Sequence, residues 1–325
     1  MKKKLLSILL IGIMIIGLTG CGTDNKETNS NSIENMIKKA EILDWEDVHS
    51  IIDKNRAKSE DYENKLYIYT AKVYSIQEEY CNLEYNNTIQ AYLDKETLKS
   101  LNRNDVITII GKLTDLNSTP KLKDAVKLDT ETIKDNFVIA ITETSGSYRK
   151  MKYSNYVVDN ETHLITSYKT SGDENGTHTL KYDKNGNLVE DVNEKTIKSY
   201  GSETITYTYN DDNTIATESY STTKDGKTEQ GNVWNFTYEK DSKGRVTKKT
   251  GVNITSDDKY TMVYTYEYDE NDNIIKETQT SPKSTYVIDY EYDEFNNKIK
   301  ETSYNTDKPY SKSTTTHTYS IVAKK

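Results

Sequence analysis
From residue 182 onward the chain repeats itself, which limits its second half to an array of like units. The copies are Tyr182-Asp183-Lys184-Asn185-Gly186-Asn187-Leu188, Tyr209-Asn210-Asp211-Asp212-Asn213-Thr214-Ile215, a third from Tyr238 to Val246, Tyr268-Asp269-Glu270-Asn271-Asp272-Asn273-Ile274, and a fifth from Tyr292 to Ile299. Their tyrosines lie 27, 29, 30 and 24 residues apart, and the third and fifth copies read as carrying inserted residues. A degenerate copy starts at Tyr156 and a terminal strand surrounds Tyr319. Ahead of each turn the aromatics alternate, so Tyr207 with Tyr209, Tyr264 with Tyr266 and Tyr268, and Tyr290 with Tyr292 share a strand face. The Asp/Asn/Gly cluster then supplies a turn, because these residues tolerate positive φ and bond to their own backbone. Nine positions past the tyrosine an acid recurs, as Asp191, Glu218, Glu277 and Glu301. Each copy predicts a β-hairpin, and linked hairpins predict a long antiparallel meander with a flat tyrosine face.

This pattern resembles the YD repeat of the RHS family, whose core is Tyr-Asp-x-x-Gly-Asn/Arg-Leu. Tyr182 to Leu188 matches in full; the other copies put Asn, Asp or added residues where the family has Gly. The resemblance implies a hairpin array associated with carbohydrate and cell-surface binding. Five or six copies are read as too few to close the shell that large RHS proteins form.

Ahead of the array the pattern changes. Ile33, Met36, Ile37, Ala40, Leu43, Val48, Ile51 and Ile52 recur at helical spacing. Leu66 to Tyr74 reads as a long strand. Cys81 to Tyr85 and Thr88 to Leu93 form two more around an Asn86-Asn87 turn. A short helix over Lys95 to Leu101 follows, then strands over Val106 to Leu113 and Leu122 to Leu128. Three strands, a helix and two strands is the order of an OB-fold. The segments around Asn55 to Tyr62, Thr70 to Ile76 and Leu101 to Lys112 resemble the tRNA-anti-like OB domains of bacterial lipoproteins. The fold class expected is mainly β: N-terminal helices plus a five-stranded OB-like barrel over 34–136, then an antiparallel hairpin array over 146–325.

The N-terminus carries a third signal. Lys2, Lys3 and Lys4 precede an apolar run from Leu5 to Leu18, and Leu18-Thr19-Gly20-Cys21 follows. A basic start, a short apolar stretch and small residues match a secretory signal. The run is shorter than the roughly 20 residues a spanning helix needs. Its ending resembles the lipobox of bacterial lipoproteins. That resemblance implies removal of residues 1–20, fatty acylation (diacylglyceryl and palmitate-type chains) at Cys21, and extracytoplasmic anchoring to the cell membrane. Two acyl chains hold a protein at a bilayer stably. Residues 21–33 are polar after the cysteine and are read as a flexible tether.

Without residues 1–20 the formal charge moves from −9 to −12 as three lysines leave. An acidic chain is a poor match to nucleic-acid phosphate. The OB-like segment itself holds 15 Lys and Arg against 20 Asp and Glu, so no nucleic-acid partner is expected. With Cys21 acylated, Cys81 has no disulfide partner and reads as a small core residue. Asp183, Asn185 and Asn187, and again Asp269, Asn271 and Asn273, alternate as oxygen ligands of a calcium loop do. Neither run carries the distal Glu of that motif, and turn chemistry accounts for both. Otherwise no metal or cofactor is expected. His49, His163, His178 and His317 form no catalytic spacing, so no enzyme activity is expected. The sequence reads as a non-enzymatic binding protein for cell-wall (peptidoglycan) or surface glycan, or for a protein partner. Tyr207, Tyr209, Tyr264, Tyr266, Tyr268, Tyr290 and Tyr292 are the candidate contact face. Envelope assembly by sheet-edge pairing and ligand sensing by the OB-like barrel are the alternatives.

Overall fold
The computed structural model describes residues 26–43, 62–84, 88–116, 118–147, 149–197, 200–255 and 260–325, of which 26–32 by backbone alone. The signal segment, Cys21 and the Asn86-Asn87 turn lie outside the described residues. The chain divides into two compact units: one runs to Val138 and adds Ile321–Lys324, and the other spans Ile139–Ser320.

In the first unit, helix α1 covers Lys26–Lys39 and a short strand β1 covers Glu41–Leu43. The helix starts within the stretch read as tether. The segment between Lys26 and Ile33 holds no Gly or Pro, and a helix nucleated by the apolar stripe from Ile33 extends over such residues at little cost. Strand β2 (Leu66–Ile76) is rich in β-branched and aromatic residues. It pairs with β3 (Cys81–Leu83), which pairs with β4 (Ile89–Ala91). Helix α2 (Lys95–Ser100) follows, capped by Asp94, whose carboxylate accepts from the Glu96 and Thr97 amides at 3.0 and 2.9 Å. Strands β5 (Val106–Thr114) and β6 (Lys121–Lys127) complete the set.

β6 runs parallel to β4, and β5 pairs back onto β2, so β2-β3-β4-β6-β5 close a five-stranded barrel with β1 parallel to β2 at its side. Tyr67, Tyr69, Val73, Leu83, Ile89, Ile109, Leu113 and Leu122 fill its core, each at most 2% exposed. Cys81 is fully buried among them, and burial pushes its thiol up to about 11. Helix α3 (Thr130–Asn136), capped by Asp129, ends the unit.

The second unit is a closed barrel of fourteen antiparallel strands. Its first three are β7 (Phe137–Gly146), β8 (Lys150–Val158) and β9 (Ile165–Gly172). The five repeats supply the hairpins β10 (Gly176–Tyr182) with β11 (Leu188–Lys195), β12 (Ser202–Tyr209) with β13 (Ile215–Lys224), β14 (Lys227–Lys240) with β15 (Val246–Asn253), β16 (Thr261–Tyr268) with β17 (Ile274–Thr280), and β18 (Thr285–Tyr292) with β19 (Lys298–Asn305). β20 (Lys308–Lys324) then lies between β19 and β7.

Closure corrects the expected open meander. The repeats alone do not close it; β7 to β9 and β20 add the strands that do. β7 begins within the interval that separated the two expected domains, because Phe137-Val138-Ile139-Ala140-Ile141 forms a strand without the tyrosine signature. A closed sheet has no free edge, so the array offers no template for edge pairing.

Candidate functional site: the interior of the repeat barrel
Each repeat turn is built the same way. The Asp183 amide donates to the Asn187 carbonyl and the Gly186 amide donates to the Asp183 carbonyl. The same two bonds recur in the turns starting at Asn210, Asp241, Asp269 and Asp293. This alignment removes both supposed insertions. In the third copy Lys240 stands where Tyr182 does, since both pair with the first residue of the returning strand. In the fifth copy Lys298 occupies the place of Leu188.

The position of Gly186 (φ +80°) needs left-handed backbone. Gly244 fills it in the third turn, and Asn213, Asp272 and Asn296 fill it at φ +61°, +63° and +63° in the others. Where a side chain replaces Gly, its oxygen accepts a bond from the preceding turn. Asn187 donates to Asn213 at 3.2 Å, Arg245 to Asp272 at 3.0 Å, and Asn273 to Asn296 at 3.4 Å. The third turn, with Gly244, is joined to the second by Lys240 and Asp212 at 2.7 Å instead. The Asn and Asp residues that stand in the place of Gly186 are thus the links that stitch neighbouring hairpins.

These turns also account for the calcium candidates. Asp183 accepts from the Asn185 amide (2.8 Å), the Asn187 amide (2.9 Å) and the Asn187 side chain (3.0 Å); Asp269 does the same with Asn271 and Asn273. Both carboxylates are engaged by donors of their own turns. Among the described residues no cluster of three or more His, Cys, Asp or Glu fits a metal ion.

The tyrosine rows face inward. Tyr266 and Phe236 are 9% exposed, whereas the Glu239, Glu267 and Glu291 side chains on the opposite face are above 60%. Tyrosine hydroxyls donate across to the first carbonyl of the preceding returning strand: Tyr182 to Ile165, Tyr209 to Leu188, Tyr238 to Ile215, Tyr268 to Val246 and Tyr292 to Ile274, all at 2.6–2.8 Å. Tyr156 likewise donates to a carbonyl of an earlier strand, at Ile141 within β7. Burial pushes these phenols up, Tyr209, Tyr268 and Tyr292 to about 12, so all are neutral hydroxyls. The seven candidate contact tyrosines are therefore packing and hydrogen-bonding groups of the interior. Among the described residues these rows offer no flat outer tyrosine face for stacking. Cys21, the remaining candidate, is outside the described residues.

The recurring acids line the same interior. Glu218 lies opposite Tyr207, Glu277 opposite Tyr266 and Glu301 opposite Tyr290, while Asp191 lies opposite Leu180. In the third copy the equivalent residue is Lys249, opposite Tyr238. Its ammonium sits 3.9 Å from the Phe236 ring centroid and 5.0 Å from that of Tyr264. Burial lowers its pKa, and Glu218 and Glu277 on either side oppose that.

Two histidines complete the belt across β20 and β7 to β10. His178 pairs with Asp191 at 2.9 Å and stacks on Tyr168 at 4.5 Å. His317 bonds Thr144 at 3.1 Å and stands 3.6 Å from Glu301, an ion-pair rather than a hydrogen-bond distance. His317 and, next, Lys298 at 2.9 Å hold the Glu301 carboxyl down at about 2. The ninth-residue acids were visible in the sequence. Lys249 and the two histidines were not, since their roles depend on which strands meet when the barrel closes.

The outward face is ionic and hydroxylic. Lys181–Glu190, Glu239–Lys248, Glu267–Lys276 and Glu291–Lys300 form the same cross-strand pair in four repeats at 2.6–3.2 Å. Thr206, Thr237, Thr250, Thr265 and Thr278 share that face by register.

No family model and no curated protein matches the chain. Among solved structures, a porin-like protein of Bacteroides vulgatus is similar at 14% identity and a TM-score of 0.36, over 56% of this chain and 99% of that one. A porin-like protein of Bacteroides uniformis is similar at 13% identity and 0.34, over 56% and 95%. The Tc holotoxin pore of Photorhabdus luminescens is similar at 14% identity and 0.25, over 74% of this chain and 14% of that one.

Proposed function
We propose that this chain is an extracytoplasmic lipoprotein, held to the cell membrane through an acylated Cys21, that acts without catalysis as a binding module at the cell envelope. The observation that carries the reading is the pairing of a lipobox-like Leu18-Thr19-Gly20-Cys21 with a barrel whose outer wall is built for water. A lipid-spanning barrel shows an apolar outer band, and each Lys or Arg on the lipid face costs about 2–4 kcal/mol at mid-bilayer. Here that face carries ion pairs repeated along the array. Among the described residues no helix is long and apolar enough to cross a membrane. Attachment then falls to the N-terminus. The strand order of the smaller barrel, with its helix between third and fourth strands and its third and fifth strands parallel, favours an OB-fold. Peptidoglycan and other surface glycans are the partners this reading favours.

Metabolic labelling with an alkyne-tagged palmitate analogue tests the anchor. Wild-type chain should be labelled and sediment with membranes; Cys21→Ala should be unlabelled. Label persisting in the variant overturns the anchor. Saturable co-sedimentation of the protein with purified sacculi, in calcium and in EDTA, tests the wall ligand. Absence of binding in both buffers removes peptidoglycan as the partner.

A further inference from the structure
The β19–β20 pairing breaks the regularity of the array in one place. Ser303 pairs with Ser313 and Asn305 with Lys308, so residues 309–312 face Tyr304 alone. Four residues against one make an enlarged bulge, a device that re-aims side chains and interrupts the ladder. Pro309 within it has no backbone donor to contribute. The bulge opens a cleft of about 480 Å³ lined by Tyr286, Tyr304, Asn305, Asp307, Lys308 and three serines. That volume falls within the range of small-ligand sites.

The lining has a definite chemistry. Tyr286, on the same strand face as Tyr290, is 44% exposed; Tyr310, on the bulge but outside the lining, is 83% exposed. Ser303, Ser311 and Ser313 supply hydroxyls and Asn305 an amide whose oxygen holds the Asp307 backbone at 2.8 Å. Lys312 lies over the Tyr304 ring at 5.0 Å, so one of the two local ammonium groups is occupied by an aromatic face. Asp307 offsets Lys308 beside it. Exposed rings, neutral donors and acceptors, and little net charge suit a flat, hydroxyl-rich, uncharged ligand. Anions and apolar ligands fit poorly.

The geometry points to this cleft as a binding site for a neutral saccharide, stacked on Tyr286, flanked by Tyr310 on the bulge beside it, and hydrogen-bonded by Asn305, Asp307 and the serines. The inference rests on the proposed role as an envelope binding module and gives that role a location. It also places the site at the end of a tyrosine row, where the β19–β20 ladder is broken.

The test uses the full chain, purified in a detergent without a sugar headgroup, on an array of immobilised neutral oligosaccharides of the gluco, galacto, manno and N-acetylglucosamine series. Wild type should bind at least one. Tyr286→Ala and Tyr310→Ala should each weaken that binding about three- to tenfold, as loss of an aromatic contact does. Tyr310 is too exposed for its loss to unfold the barrel. Tyr200→Ala, at a tyrosine on the β11–β12 connection that is 68% exposed, should bind as wild type. Undiminished binding by both cleft variants overturns the site while leaving the binding role intact. A wild-type chain that binds no saccharide, as when the cleft takes a protein loop, overturns the ligand class. The Cys21→Ala labelling experiment scores the anchor separately in either case.

Discussion

Glu301 gives the sharpest quantitative test of the barrel interior. Its carboxyl is held at about 2, against an ordinary 4.5, by His317 first and then by Lys298. The native state therefore binds fewer protons than the unfolded chain between those two values, and stability must rise with pH through that window. The contribution is complete above about pH 4.5 and is lost as pH falls toward 2. Each pH unit of difference is worth about 1.4 kcal/mol, so full coupling would give ~3 kcal/mol. The side chain is 31% exposed, and solvent screening trims the figure to ~2 kcal/mol. Glu301→Gln should lower the urea unfolding free energy by about that much at pH 7 and by about a quarter of it at pH 2.5. Near-UV circular dichroism suits the measurement, because 20 of the 27 tyrosines lie beyond Ser145. A gap that stays constant from pH 7 to pH 2.5 would refute the argument and assign Glu301 a packing role. His317→Gln should narrow the window by removing the largest cause.

Three further outcomes follow from the geometry. Gly251→Ala places a Cβ 2.7 Å from the Phe236 ring and 3.3 Å from Trp234, so overpacking should cost about 1–3 kcal/mol in thermal unfolding. At Asn213 (φ +61°) the stability order should be Asn, then Gly, then Ala. Glycine keeps the left-handed backbone but loses the acceptor for Asn187, and alanine loses both; an alanine variant as stable as the glycine one would remove the backbone argument. Cys81, buried and with its thiol at about 11, should resist a soluble maleimide under native conditions and react on unfolding.

Much of the local structure was legible in the sequence, because it is written in short-range patterns. The strands expected at Leu66, Cys81, Thr88, Val106 and Leu122 appear as β2 to β6, and the expected helix at Lys95 appears as α2. Aligning repeats by tyrosine failed at Tyr238, which keeps the hydroxyl bond to Ile215 although the turn acid is Asp241, three residues on. Counting nine from Tyr238 lands on Thr247 and misses Lys249, the cation among the acids. The orientation of the tyrosine rows was equally hidden. Alternation says that they share a face, and only closure says that the face is internal. Closure depends on β7 to β9, where only Tyr156 hinted at the repeat, and on contacts such as Thr142 with Thr318, 176 residues apart.

That last contact bears on how the protein is made. Hairpins can form one by one as the chain emerges, each from neighbours in sequence. The seam between β7 and β20 cannot, because its strands are the first and the last of the fourteen and both must be made before they meet. Until then the sheet has two raw borders and its aromatic lining is open to water, a state with high contact order and a tendency to self-associate. Barrel assembly is thus a late, all-or-none event. A chain shortened by the few residues that carry Thr315, His317 and Thr318 should accumulate as an unsealed sheet that sticks to its own kind, with every repeat still present in its sequence.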